Sequence, residues 1–433
     1  MALTLYNSLS RQSESFAPLA PPVVSFYTCG PTVYDVPHIG NLRTFVTSDL
    51  VRRVLERAGY TVRQVVNITD VDDKTIAGAR AAKFALGEFT KEYEDIFLAN
   101  LESLNLLRPA GLPRATEFIE HMIVMVEKLL EQGTAYAAED GIYFKIKSFP
   151  SYGVFQKPDT DEDFALWKFW KPEDGEVSWE APFGKGRPGW HLECSAMIAA
   201  TLGQSIDLHL GGTDLTFPHH ENERAQSESF NHAPLSKYWL HSAFVNINGE
   251  KMSKSLGNII GLKELEAKGF KPLAYRYLLL TAHYRTLINF TWESLGAAAE
   301  ALNKLENLVN DWQGDGTEGK VIHSYFKRFN ESLDADFNLP QALGVLWEMT
   351  KDESEKRRDK LATLLNFDQV LGLNLAAAGT PTELPPEISD LIAKREEARA
   401  RQDWLTADTL RQKIESLGYS LKDTNSGPKF RKI

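Results

Sequence analysis

Residues 23–68 constrain the fold more than any other part of the chain. The run 23–29 (VVSFYTC) is β-branched and aromatic and is stopped by Gly30-Pro31, the pattern of a buried strand. After a polar turn, 43–58 carries apolar residues at Phe45, Leu50, Val51, Val54 and Leu55, which predicts a helix. A second strand is predicted over 62–68. Strand, helix and strand in so short a span form a βαβ unit, so the two strands are expected to lie parallel with a right-handed crossover.

Composition narrows the class. The 433 residues allow two to four domains at about 100–200 residues each. The apolar fraction of 43% and charged fraction of 25% are those of a globular chain and exclude disordered, collagen-like and fibrous classes. No run approaches the roughly 18 apolar residues of a membrane span. The start, MALTLYNSLSRQSESF, lacks the basic segment and long apolar core of a secretory signal. The expectation is a cytoplasmic protein that does not engage a membrane.

The net charge of −11 argues against a generic nucleic-acid coat, but it is unevenly spread. Residues 391–433 hold ten Lys/Arg and six Asp/Glu, a tail of +4 that leaves −15 for the rest. A basic tail on an acidic body can steer a polyanion to one place. The only two cysteines, Cys29 and Cys194, exclude a disulfide scaffold. Two buried inert thiols are the commoner meaning of such a pair; the alternative is that both join one folded site.

Three segments carry chemistry. Cys29 to Asn41 (CGPTVYDVPHIGN) lies between the first strand and the first helix. Ligands of a doubly wound sheet sit outside the carboxyl ends of the strands, and a helix start attracts phosphate. Gly40 would let a nucleotide approach the backbone, and His38 could hydrogen-bond a phosphate; a plain turn with a capping histidine is the competing reading. Lys251-Met252-Ser253-Lys254-Ser255 follows an expected hairpin with an Asn248-Gly249 turn. Its two lysines can neutralise charge developing on a triphosphate, although such a run is more often a solvated loop. Phe217 to Glu223 (FPHHENE) reads as the start of a helix with Pro218 near its first turn. His219 and Glu223, at i and i+4, would then share a face as a metal clip or as a surface pair. With Cys29 and Cys194 they would make a set of two thiolates, an imidazole and a carboxylate, which selects zinc.

The HIGN and KMSKS segments together resemble the two signatures of class I aminoacyl-tRNA synthetases. The wider set resembles the cysteinyl-tRNA synthetase family nearly end to end: FYTCGPTVYDVPHIGN, VVNITDVDDKT, DFALWK, GKGRPGWHLECSAM, FPHHENERAQS, KMSKSLGN and the tail KREEARARQDWLTADTLRQKIESLGYSLKDT. The resemblance implies zinc ligands at Cys29, Cys194, His219 and Glu223, one ion per chain. It implies substrate contacts at Thr69 and Trp190. His38 and Lys254 become catalytic, with His38, Gly40, Asn41, Lys251, Ser253 and Lys254 binding ATP, which Mg2+ is expected to accompany. The implied reaction joins L-cysteine to cysteine tRNA through an adenylate. Cysteine and serine differ by one atom, which fit alone separates poorly, whereas zinc prefers a thiolate and lowers the thiol pKa. Four protein ligands would ordinarily close the site, so Glu223 is the ligand expected to loosen.

The implied fold is α/β. A Rossmann-like doubly wound parallel sheet domain spans 1–105 and 189–237, with a connective insertion over 106–188. A connecting region bearing KMSKS spans 238–290, a helical bundle 291–375, and a small C-terminal anticodon-binding domain 387–433 beyond a linker at 376–386. A monomer is expected.

Two departures from the family stand out. The loop between Tyr152 and Asp163 is short, and the usual His-Gly-Gly-Gly is His209-Leu210-Gly211-Gly212. Leu210 would either crowd the nucleotide edge or repack into the sheet, with a mild effect on ATP affinity expected. Other readings fit less well. Asp70 to Thr75 (DVDDKT) resembles a dehalogenase-type phosphatase motif, but Lys74 occupies the position that needs Thr or Val. Gly184-Lys185-Gly186 lacks the order of a P-loop. A ligase joining cysteine to an amino sugar would share the catalytic half but not the basic tail, and a tRNA-binding paralogue without catalysis would not need the zinc, HIGN and KMSKS segments.

Overall fold

The computed structural model describes residues 2–158, 160, 162–252, 257–313, 318–378, 385–424 and 427–432, with 422–424 and 427–432 as main chain only. The chain divides into two compact units, Met1–Ala376 and Ala377–Ile433.

The first unit is built on four parallel strands: β1 (Val23–Thr28), β2 (Thr61–Val66), β3 (Ile206–Gly212) and β4 (Ser236–Ser242), in the order β4-β3-β1-β2. The register sets Phe26 opposite Leu208, Tyr27 opposite His209 and Thr28 opposite Leu210. Alternation sends Val24, Phe26, Leu208, Leu210 and Leu240 into one apolar cluster, and Tyr27 and Trp239 into another that includes Cys29 and Cys194. Burial on both faces explains why β1 reads as a nearly continuous apolar run. The chain leaves β1 toward β2 on one side and places β3 on the other. The strand order therefore reverses at β1, which opens a crevice at the carboxyl ends of β1 and β3.

Three helices frame that crevice: α1 (Ile39–Arg57), α2 (Trp190–Thr201) and α3 (Glu221–Asn231). The apolar period places the start of α1 near residue 43, but it begins at Ile39. His38 Nδ1 accepts from Asn41 N (3.1 Å), and Asn41 Oδ1 accepts from His38 N (3.2 Å), a reciprocal cap that extends the helix back to the motif.

Between β2 and α2 lie the helices Asp73–Ala82, Leu86–Ser103 and Ile119–Glu131, and an antiparallel sheet of Ala135–Ala137, Gly141–Phe144, Phe164–Phe169 and Gly186–Pro188. The second of these strands carries a short apolar run, Ile142-Tyr143-Phe144. Leu166 and Trp167 are fully buried, so the middle of the third strand belongs to the core.

After β4, Val245–Ile247 and Glu250–Lys251 form the expected hairpin, with Asn248 at φ 51° and Gly249 at φ 88°, and Ile288–Phe290 joins it in parallel. Helices Trp292–Trp312, His323–Asp334, Leu339–Lys351 and Arg357–Leu371 make the bundle, whose core is continuous with that of the sheet. An antiparallel pair at the amino end, Thr4–Asn7 and Gln12–Ser15, was not anticipated.

In the second unit, helices Pro386–Ala400 and Trp404–Ser416 are followed by the antiparallel strands Tyr419–Thr424 and Gly427–Lys432. Ile388, Leu391, Ile414, Tyr419 and Leu421 form its core. No helix among the described residues is long and apolar enough to cross a membrane.

Candidate metal and nucleotide site

Cys29 is the first residue past β1, and its N–H donates to Leu210 O (3.1 Å), which pins the end of β1 to β3. Gly30 N donates to Asn67 Oδ1 (2.7 Å). A Cβ on Gly30 would sit 1.6 Å from Asn67 O, so only glycine fits beside the cysteine. Cys194 lies in the second turn of α2 and is buried.

His219 and Glu223 come from the segment after β3. The expectation of a helix beginning at Pro218 is corrected here. Phe217 is extended (φ −144°, ψ 136°) within a widened turn, Thr216–His220, and regular helix starts at Glu221. Even so, His219 Nε2 meets Glu223 Oε1 at 2.6 Å.

The structure brings the four residues together. One ligand atom from each of Cys29, Cys194, His219 and Glu223 lies within 4.8 Å of the others, and all four residues are buried. Cys29 Sγ is 3.4 Å from Glu223 Oε1, and Cys194 Sγ is 3.6 Å from His219 Nε2. This is a possible metal-binding cluster. A second set shares Cys29 and Glu223 and adds His209 and His220. The second oxygen of Glu223 meets His209 Nε2 at 2.6 Å, His209 stacks on Trp239 (4.4 Å, 14°), and His220 Nδ1 is 2.8 Å from His241 Nε2.

Burial pushes the Cys29 thiol up, and Cys194 and Glu223 push it further. Burial also raises Cys194, but the hydrogen bond from Cys29 and the nearby His219 outweigh it and bring Cys194 down to about 6. Burial opposes ionisation of Glu223 too, yet His209 and His219 hold its carboxyl well below the usual range. His219, which burial alone would lower, is held up to about 10 by Glu223 and Cys194. A dry site with two thiols, a carboxylate and one imidazole is short of positive charge. That donor set fits a borderline-soft divalent cation, which relieves the protonation cost at Cys29.

Trp190, half-exposed at the first turn of α2, stacks on His219 with ring centres 4.2 Å apart. Thr69 is buried; its hydroxyl donates to Glu193 Oε2 (3.0 Å) and accepts from Asn67 Nδ2 (3.1 Å). One asparagine thus braces both Gly30 and Thr69.

At the start of α1, burial lowers the His38 pKa. Its Nδ1 accepts from Asn41, so the neutral ring carries its proton on Nε2. Gly40 lies against the arm that carries Lys251: a Cβ there would come 2.5 Å from Met252 Cε. Ser253 and Lys254 lie outside the described residues.

The residues of the discarded motifs have local roles. Asp72 caps the helix Asp73–Ala82, and Asp70 accepts from Thr116 N (3.0 Å) and Oγ1 (2.6 Å).

His209, His220, His241 and Asn67 were not singled out as site residues from the sequence. Histidines in the HLGG and PHH segments were the available signal, but their convergence depends on the strand register.

The candidate site therefore lies at the reversal point of a parallel sheet, beside the helix-capping His38–Asn41 turn. Residues 15–300 match the family described as tRNA synthetases class I (C) catalytic domain. Residues 382–431 match the family described as cysteinyl-tRNA ligase anticodon binding domain. Methionyl-tRNA synthetase of Mycobacterium tuberculosis, bound by methionyl-adenylate, superposes with a TM-score of 0.60 at 15% identity, over 83% of this chain and 92% of that one. A LeuRS from Agrobacterium radiobacter K84, in a ternary complex, gives a TM-score of 0.65 at 10% identity, over 85% and 86%. The fold is that of the class I synthetases. The chain is also 43% identical to a cysteine–tRNA ligase of Chlamydia muridarum over the full length of both. It belongs to the cysteine–tRNA ligase family.

Proposed function

We propose that the chain activates L-cysteine with ATP and esterifies the cysteinyl adenylate to the terminal adenosine of cysteine tRNA. The observation that carries this reading is the convergence of Cys29, Cys194, His219 and Glu223 at the sheet's carboxyl edge, beside Trp190. The two thiols and the imidazole favour zinc as the ion that these four residues would hold. When bound, zinc would favour a substrate thiolate over the serine hydroxyl, a selection that a size-based pocket cannot make.

The remaining work belongs to the chain. His209 holds Glu223 by its second oxygen, so the carboxylate stays oriented if its metal-side oxygen loosens. Trp190 covers the amino acid from the mouth of the site, and Thr69, braced by Asn67, contacts its polar end. His38, through its Nε2 proton, the Gly40 backbone, Asn41, Lys251, Ser253 and Lys254 bind the triphosphate, whose Mg2+ comes with ATP. His38 and Lys254 stabilise the charge that develops at phosphorus. Binding the amino acid at its thiol end aligns the carboxylate with the α-phosphate.

The 387–433 segment is read as the part that holds the anticodon end. It is basic, and Trp404, exposed at the start of its second helix, offers a stacking face. A C-terminal segment of this kind has no use in an amino-sugar ligase. We read the protein as a cytoplasmic monomer.

The test is ATP-dependent charging of cysteine tRNA with labelled cysteine, before and after zinc is removed with a chelator. Charging that disappears on removal and returns with zinc is expected. Cysteine-dependent pyrophosphate exchange without charging would make the amino-sugar ligase the better reading.

A further inference from the structure

Arg43 lies on the buried face of α1, just past the His38–Asn41 turn, and is only 2% exposed. Among the described residues its guanidinium hydrogen-bonds main-chain carbonyls alone. Nη1 donates to Phe244 O (2.6 Å), and Nη2 donates to Thr286 O (2.5 Å), His283 O (3.2 Å) and Tyr284 O (3.3 Å). No carboxylate pairs with it among the described residues, and burial brings its pKa down to about 10. A buried cation without a counter-ion is costly, so its geometry calls for an account.

The four carbonyls mark the roots of two strands. Phe244 immediately precedes Val245–Ile247, and 283–286 lead into Ile288–Phe290, its parallel neighbour. The third strand, Glu250–Lys251, hangs on the first through Asn246↔Lys251 and Ile247↔Glu250. Met252, next along, packs on Gly40. The start of α1 is tied to the same region elsewhere: Ile39 N donates to Ile260 O (2.8 Å), and Tyr275 Oη donates to Ile39 O (2.7 Å). Arg43 reaches the carbonyls at the strand roots themselves.

We propose that Arg43 is a positioning residue that fixes the arm carrying Lys251 and Met252 against the His38–Asn41 turn, so that phosphate-binding groups from both act on one nucleotide. This rests on the ATP-dependent activation proposed above. A planar fork can hold several carbonyls in fixed directions, whereas a lysine ammonium keeps the charge but not the directions. Arg43→Lys therefore isolates geometry from charge.

The experiment uses the full-length, zinc-loaded chain and measures single-turnover formation of the adenylate, with the rate normalised to active sites by burst amplitude. Arg43→Lys is expected to lower the rate per active site by about tenfold or more, with cysteine affinity within about twofold of wild type and unchanged zinc content. On the Arg43→Lys background, Lys251→Ala is expected to cost less than it does alone, because both changes disable one arm. Arg43→Met is a second variant; should it fail to fold, Arg43→Lys still decides. A wild-type rate per active site in Arg43→Lys, or full additivity with Lys251→Ala, would overturn the assignment. A wild-type chain that forms no adenylate with cysteine would instead bring down the functional reading beneath it.

Discussion

Leu210 stands where the resemblance leads one to expect glycine, and the strand register decides what that means. It pairs with Thr28 and Leu240 and is fully buried in the apolar cluster with Leu208. His209 and Gly211, its neighbours along the strand, serve the opposite face, where a Cβ on Gly211 would strike the His220 ring at 2.5 Å. Leu210→Gly should therefore cost about 3–5 kcal/mol of unfolding free energy, the range for emptying a large core position, and change the KM for ATP by less than about twofold. Denaturant melts and exchange kinetics check both. A stable variant with much tighter ATP binding would place the side chain at the nucleotide. At this scale, the four residues that converge as candidate metal ligands could be picked out in the sequence, because cysteine is scarce here and the surrounding motifs are distinctive. Their supports, Asn67 and His209, could not, because a polar partner is defined by which residue lies opposite and not by its type.

Among the elements, β1 and β2 were readable as short apolar runs on either side of a helix, and the bundle region as helical, whereas β4 was not, because SKYWLHS mixes polar residues into a strand buried along nearly its whole length. The start of α1 was not, because a histidine cap extends the helix beyond its apolar stripe. Pro218 misled in the other direction: a proline suits a first helical turn, but extended Phe217 delays the regular helix to Glu221. The strands of the insertion are three to six residues long, too short to show alternation among prolines, glycines and charges. Arg276 shows how elements distant in sequence are joined. Fully buried, it pairs with Asp49 of α1 (2.6 Å) and donates to Leu104 O (3.0 Å) and Leu371 O (2.7 Å), so α1, the segment before the insertion and the last bundle helix share one cation. No sequence period signals such a contact.

For the whole molecule, the division at Ala376 separates activation from tRNA capture in the proposed function. Deleting 377–433 should leave cysteine-dependent pyrophosphate exchange within about twofold of the full chain. It should lower kcat/KM for tRNA charging by about tenfold or more, because phosphate contacts dominate such affinity. Equal loss of both activities would contradict a modular division. The central claim is that a metal held by Cys29, Cys194, His219 and Glu223 selects the thiol. It is tested most directly by pyrophosphate exchange with cysteine and with serine on the zinc-loaded chain. A pocket that works by size discriminates by at most about 200-fold, whereas a site built to bind the distinguishing group reaches about 10⁴ or more. The account predicts the larger ratio, lost when zinc is stripped. A ratio near the smaller value, or one indifferent to zinc, would contradict it.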